Sequence, residues 1–402
     1  MKTPLNIFAL LWLVPLAAHA QVNSGSNGSD GAFNPTTNIV INMADHPNGI
    51  YHYTSVNIPS GVTVTFIPNA NNTPVVWLVQ SNVVISGSVD VSGQSGGYFT
   101  DNGTPGLGGP GGFSGGSGGV GGNGGQGPGG GSVGPVGEPA AFGTLPTQYN
   151  GSSFHPYTNG SSIYGNNYLL PLIGGSGGGG GTNLPGGGGG GGGAFLIAAS
   201  QPIQMNGSIV ANGGRGAVNH CGFSFCDTSG GGSGGAVRLV ATSLAGSGYI
   251  SVAGGADGGW GRRVGGQGRV RFDVLGNGFG GQIVGVFTQG YQPIIIPTAG
   301  QGAQLTVTSV GGVPVSASPA GILSTPDAVL SAQQNNPISV VVHCSNIPLN
   351  TQITVSVKPA NGSAVSATGL NNTGTLASST ATVLLNMPRG GGIIYATAAT
   401  GN

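Results

Sequence analysis

The chain has 402 residues, 86 of them glycine, and its charged residues make up only 4% of it and balance in sign. So sparse and balanced a charge excludes bulk electrostatic binding of nucleic acid or of an anionic membrane surface. Glu138 is the only glutamate and Lys358 the only lysine after Lys2, so helices would lack their usual exposed residues and the chain reads as all-β plus coil.

Residues 1–20 read as an export signal. Lys2 supplies the positive start, 7–16 an apolar run broken only by Pro15, and Ala18-His19-Ala20 a small-x-small cleavage site. The mature chain is expected to begin at Gln21 and to be secreted or held at the cell surface. No later stretch reaches the roughly 18 apolar residues that a membrane-spanning helix needs.

From 21 to about 300 the informative signal is repetition. Segments 75–93, 195–213 and 237–254 share an apolar strand, a polar corner, a second strand and a glycine turn, and 269–274 looks like a fourth start. Strands this short cannot bury an apolar face alone but do so when stacked as successive coils. The expected body is a right-handed parallel β-helix-like solenoid. Alternation points Val237, Leu239, Ala241, Val270, Phe272 and Val274 inward and Arg238, Arg269, Arg271 and Asp273 outward, with Arg238 and Arg271 on one ladder.

Glycine-rich insertions interrupt the repeat at about 94–193, 212–235 and 254–268. Residues 108–125 run nearly as Gly-Gly-X, a period that matches the three residues per turn of a polyproline II helix; 174–193 is denser in glycine without the period. Close-packed helices and flexible insertions are the two readings. The entropy that glycine loses on ordering favours the flexible one.

The insertions and their flanks hold the candidate sites. In an oxidising compartment Cys221 and Cys226 are expected to close a small disulfide loop; a zinc site would need a second ligand pair that is missing, so no metal is expected. Arg238, Trp260, Arg262, Arg263, Arg269 and Arg271 are the candidate ligand-binding residues, able to hold acidic polysaccharide by bidentate pairing and stacking. The alternative is a polar face that blocks edge association. The carboxylates are scattered singly, so no catalytic residue and no cofactor is assigned. Phe142, Tyr149, Phe154, Tyr157, Tyr164 and Tyr168 read as a satellite core more than as a sugar platform. Residues 301–402 lose glycine and show alternating strands, expected as an immunoglobulin-like β-sandwich with Cys344 facing inward beside Val340 and Val342.

Segment 230–258, GGSGGAVRLVATSLAGSGYISVAGGADGG, resembles glycine-rich exported bacterial proteins with β-helix-type repeats. Segment 347–388, from IPLNTQITVSVKPANGSAV to TGTLASSTATVLLNMP, is similar to a C-terminal β-domain of such proteins. The resemblance implies export and this domain order and carries no catalytic residues. The expected function is a structural or adhesive surface or matrix protein without catalytic activity, its partners extracellular polysaccharide or cell-surface components. A carbohydrate-binding or polysaccharide-degrading protein is the alternative, favoured if Asp90, Asp257 and Asp273 share a groove with arginines. An ice- or surface-binding protein is the second, favoured by an ordered flat face of glycine helices.

Overall fold

The computed structural model describes residues 22–98, 103–149, 151–156, 161–182, 186–221, 224–227, 229–259, 263–290, 303–316, 319, 326–359 and 363–398, with backbone alone at 218–221 and 224–227. The export signal at 1–20 and the junction at 291–302 between the two expected domains lie outside the described residues. So do Trp260 and Arg262.

The described chain is all-β, with one 3-10 turn at Met43–Asp45. Its first strands are β1 (Gly31–Phe33), β2 (Ile39–Asn42), β3 (Ile50–Ile58), β4 (Thr63–Ile67), β5 (Val75–Val79), β6 (Val83–Ile85) and β7 (Ser88–Asp90). The first insertion adds β8 (Thr147–Tyr149) and β9 (Phe154–Pro156); β10 (Ala194–Ala199), β11 (Ile203–Met205) and β12 (Ser208–Val210) follow. After the hairpin β13 (Val218–Cys221) and β14 (Ser224–Asp227) come β15 (Ala236–Gly246), β16 (Tyr249–Ser251), β17 (Arg263–Val264), β18 (Arg269–Phe279), β19 (Gln282–Val284) and β20 (Val286–Gly290).

The repeated segments lie side by side in register. Val75 pairs with Phe195, Phe195 with Val237 and Val237 with Val270, all in parallel. The main sheet nevertheless corrects the expected right-handed solenoid, because its pairing closes into a six-strand parallel barrel, β10-β5-β3-β6-β11-β15 and back to β10. The cause is local. Long β3 continues past the corner 80–82 and pairs with β5 by its first half and β6 by its second. Long β15 does the same with β10 and β11 across the corner 200–202, where Pro202 lacks the N–H a continuous strand would use. Strands β18 and β20 extend from β15, and a second parallel sheet runs β19-β16-β12-β7-β4-β2.

Alternation fills the space between the sheets. Trp77, Phe195, Ile197, Leu239 and Phe272 from the main sheet meet Val64, Val89, Ile209 and Ile250 from the second, all essentially buried. Trp77 and Phe195 touch edge to face at 4.9 Å between ring centroids.

The glycine tracts are ordered, which overturns the flexible reading. Strands β7, β12 and β16 run directly into segments 91–97, 211–217 and 252–258; segments 186–193, 229–235 and 264–268 return into β10, β15 and β18. Within 186–193 the hydrogen bonds have a period of three. The N–H groups of Gly187, Gly190 and Gly193 donate to the carbonyls of Gly97, Gln94 and Val91. Those of Gly188 and Gly191 donate to Gly116 and Phe113, and those of Gly189 and Gly192 to Gly230 and Ser233. Its carbonyls accept from three further segments, through Gly106 and Gly109, Gly175 and Gly178, and Gly214 and Ala217. Segment 186–193 therefore has six bonded neighbours. Segment 174–181 likewise bonds 110–119, 122–126, 130–134, 137–141, 186–193 and 229–235, and segment 229–235 also has six. The result is a hexagonal lattice of three-residue-per-turn helices.

Glycine is required there by close approach. A Cβ on Gly187, Gly188 or Gly189 would land on the carbonyl of Thr104, Gly178 or Gly214, three different neighbours. None of the glycines at 174–193 has a positive φ. Saturated hydrogen bonding is what lets so much backbone be buried, since an unpaired buried N–H or C=O is costly. Three buried serines lie among the inner glycines, and all are bonded: Ser233 Oγ accepts from Ser176 N, Ser176 Oγ accepts from Gly129 N, and Ser229 Oγ donates to Ala217 O.

The C-terminal region has β21 (Gln304–Val310), β22 (Val313–Pro314), β23 (Ile338–Ser345), β24 (Gln352–Pro359), β25 (Val365–Leu370), β26 (Thr373–Gly374), β27 (Ser379–Leu385) and β28 (Gly392–Ala398). They form two small antiparallel sheets, β22-β21-β23-β27-β26 and β25-β24-β28. Val340, Val342 and Cys344 from one and Ile353, Val355 and Val357 from the other share a core, with Cys344 a free, buried thiol.

Candidate functional site

The structure brings three of the candidate arginines together and buries them. Arg238 and Arg271 are cross-strand partners on β15 and β18, on the face away from the core between the two parallel sheets. That face is covered: Phe142, Asn167 and Tyr168 lie against Arg269 and Arg271, and Val22 and Leu172 pack with Leu196 and Val240. Asp273, fully buried, accepts from Arg238 Nε at 2.9 Å and from Arg271 Nη2 at 2.6 Å. Arg269 and Arg271 both donate to Asn167, to its side-chain oxygen and its carbonyl, and Arg271 lies over the Tyr168 ring at 4.9 Å. These arginines clasp the insertion to the sheet. Burial lowers the pKa of Arg238 and Arg269 from the usual guanidinium value, while Asp273 raises that of Arg238. Arg238 Nη2 and Arg269 Nε are buried with no hydrogen-bond partner.

Arg263 sits apart, on the glycine lattice, 3.4 Å from Glu138 and 3.8 Å from Asp257. Asp90 lies on the outer face of the second sheet, where its carboxylate accepts from Ser92 N. The three aspartates thus occupy separate places and line no common groove. For Cys221 and Cys226 the backbone register pairs Cys221 with Ser224 and Cys226 with Asn219. Their side chains are outside the description, and so is the expected bridge.

The aromatic cluster divides. Phe142 and Tyr164 form a buried core with Leu169 against Ala194 and Ala236. Tyr149 and Phe154 form an exposed pair at 5.3 Å, and Tyr157 is outside the described residues. Burial pushes the Tyr164 hydroxyl well above the usual tyrosine range, and that hydroxyl donates to Gly174 O at 2.7 Å. A mainly apolar cleft of about 880 Å³ lies between Phe113, Leu172 and Ile173 on one side and Leu305, Leu330 and Ile394 on the other.

What sequence reasoning missed is the outer surface formed by β7, β12 and β16 and their glycine extensions. Ser88, Ser208, Tyr249 and Gln282 form one cross-strand row, and Asp90, Val210, Ser251 and Val284 the next. The repeat alignment contains these rows, but their significance appears only once the glycine segments are seen to continue the strands. Among the described residues no group of three or more His, Cys, Asp or Glu could hold a metal ion, and no helix is long and apolar enough to cross a membrane. Comparison with protein-family models, with curated proteins and with solved structures finds no match to this chain.

Proposed function

We propose that this chain is an exported structural or adhesive protein of a cell surface or extracellular matrix. The observation that carries the reading is the glycine lattice. Three successive strand units send a segment out of the β-body and return through a lattice held mainly by backbone hydrogen bonds. Seven residues at about 3.1 Å each carry the chain roughly 20 Å from the strands. A lattice this dense has no room for a substrate inside it, and it sets its turns far from the body, as a presenting scaffold requires. Export rests on residues 1–20.

The test is to express the full chain with its leader, fractionate the culture, and measure attachment of the cells to solid supports. Recovery in the envelope or matrix fraction with increased attachment is expected. Recovery as free protein in the medium with unchanged attachment would overturn the reading. An ice-binding role is the second reading, and the ordered glycine lattice is the observation that favours it.

A further inference from the structure

We infer that the outer face of the second sheet and its glycine continuation is a binding surface for a solid, neutral polysaccharide. This rests on the adhesive reading and supplies its ligand class. The face is one continuous ribbon. Strands β7, β12 and β16 pair in parallel without register shifts and pass without a break into 91–97, 211–217 and 252–258. Segment 211–217 is bonded to 91–97 and 252–258 on its two flanks, with 186–193 and 229–235 behind it, so the three outer segments form a straight lattice row. About ten residues per segment give a ribbon roughly 30 Å long, with neighbouring chains about 4.8 Å apart.

The groups on this ribbon suit a polyhydroxylated ligand. The hydroxyls of Ser88 and Ser208 are bonded to each other at 2.8 Å. Asn212 is fixed by Ser251 Oγ and Ala253 N, and Arg215 by the carbonyls of Asp257 and Gly259. Groups already held in place lose little entropy on binding. Tyr249, 38% exposed in the first row, offers an aromatic face for a sugar ring.

Other partners fit poorly. A nucleic acid needs many cations, and this ribbon has Arg215 set against Asp90. A membrane surface needs an apolar face backed by lysine and arginine. A protein partner needs a desolvated cluster of aromatic and aliphatic anchors, which short serine and asparagine side chains do not make. The hydroxyls and ring faces of a solid, neutral polysaccharide suit the hydrogen-bonding groups and the aromatic face that this ribbon presents.

The test is retention of the full chain on microcrystalline cellulose and on chitin in 1 M salt, with Val210→Lys and Tyr249→Ala as variants and a thermal melt as the folding control. Val210 points outward in the middle of the ribbon, so lysine there raises the surface without entering the core. The wild type should be retained on one of the two solids, and each folded variant should lose at least tenfold in bound fraction. No retention on either solid, equal retention of both variants, or partition of the wild type into growing ice instead would overturn the proposal. Fractionation separates the two readings. A chain found in the matrix but not retained on polysaccharide removes only the ligand assignment; one retained on polysaccharide but free in the medium removes only the surface role.

Discussion

At single positions the lattice makes opposite demands on the same residue type. Gly187→Ala puts a methyl group onto the Thr104 carbonyl and should destabilise the protein by roughly 3 kcal/mol or more, whereas Gly280, with nothing within 4 Å of its added Cβ, should accept alanine within about 0.5 kcal/mol. Equilibrium denaturation of the two variants reads the difference. The arginine clasp makes a similar contrast. Asp273→Asn leaves Arg238 and Arg271 buried together without their carboxylate, expected to lower stability by about 3–5 kcal/mol. Arg238→Met leaves the Arg271–Asp273 pair intact and removes a guanidinium whose Nη2 is unpaired, so it should be close to neutral in the same denaturation series. Tyr51 sets an alkaline limit. Burial, with Asp30 and Asp45 adding to it, pushes its hydroxyl from 10.0 up to about 12. The folded state holds this proton more tightly than the unfolded chain does. Stability should therefore be level below pH 10 and fall by about 1.4 kcal/mol per unit from this group as pH rises toward 12. Tyr51→Phe should remove that part of the slope in a urea titration taken across pH 9–12.

At the scale of elements, the repeat and the alternation were legible in the sequence and the surroundings of each face were not. Alternation puts Arg238 and Arg271 on the face away from the core, and they are there. What lies against Arg271 is Asn167 and Tyr168, about a hundred positions away in the chain and bearing no pattern that ties them to β18. The closed barrel is illegible in the sequence for a related reason: whether β3 and β15 continue past a corner depends on which strands face their two halves, a nonlocal fact. Glycine was the hardest case. Conformational entropy argues for disorder in each tract taken alone, and only the mutual pairing of many tracts reverses it. The Gly-Gly-X period at 108–125 was the legible hint; 174–193, which supplies two of the three enclosed segments, shows none, because an enclosed helix has no outward position for a side chain. Hydrogen exchange should express this. Amides of 174–181 and 186–193 are expected to be protected as well as those of β15, although their sequence reads as linker. Exchange complete within seconds across those segments would show that the lattice does not hold in solution.

For the whole molecule, the two kinds of interior should leave a calorimetric signature. The region between the parallel sheets and the C-terminal core are built from aliphatic and aromatic side chains, and their exposure on unfolding raises the heat capacity. The glycine lattice buries backbone amides and almost no side chain, and exposure of polar surface lowers the heat capacity by about 0.26 cal/K/mol for each Å². The lattice also contributes hydrogen bonds whose net worth is modest, about 0.5–1.5 kcal/mol each, against the large entropy regained by freed glycine. Unfolding should therefore show a heat-capacity change per residue well below the usual 12–15 cal/mol/K, and a flatter stability curve than a conventional all-β protein of this length. Scanning calorimetry on the full chain at several pH values measures this directly. A value inside the ordinary range would mean that unfolding exposes as much apolar surface per residue as in a side-chain core. The glycine lattice could not then be a major part of the cooperative structure, and a scaffold that holds surface groups in fixed rows would need another source of rigidity.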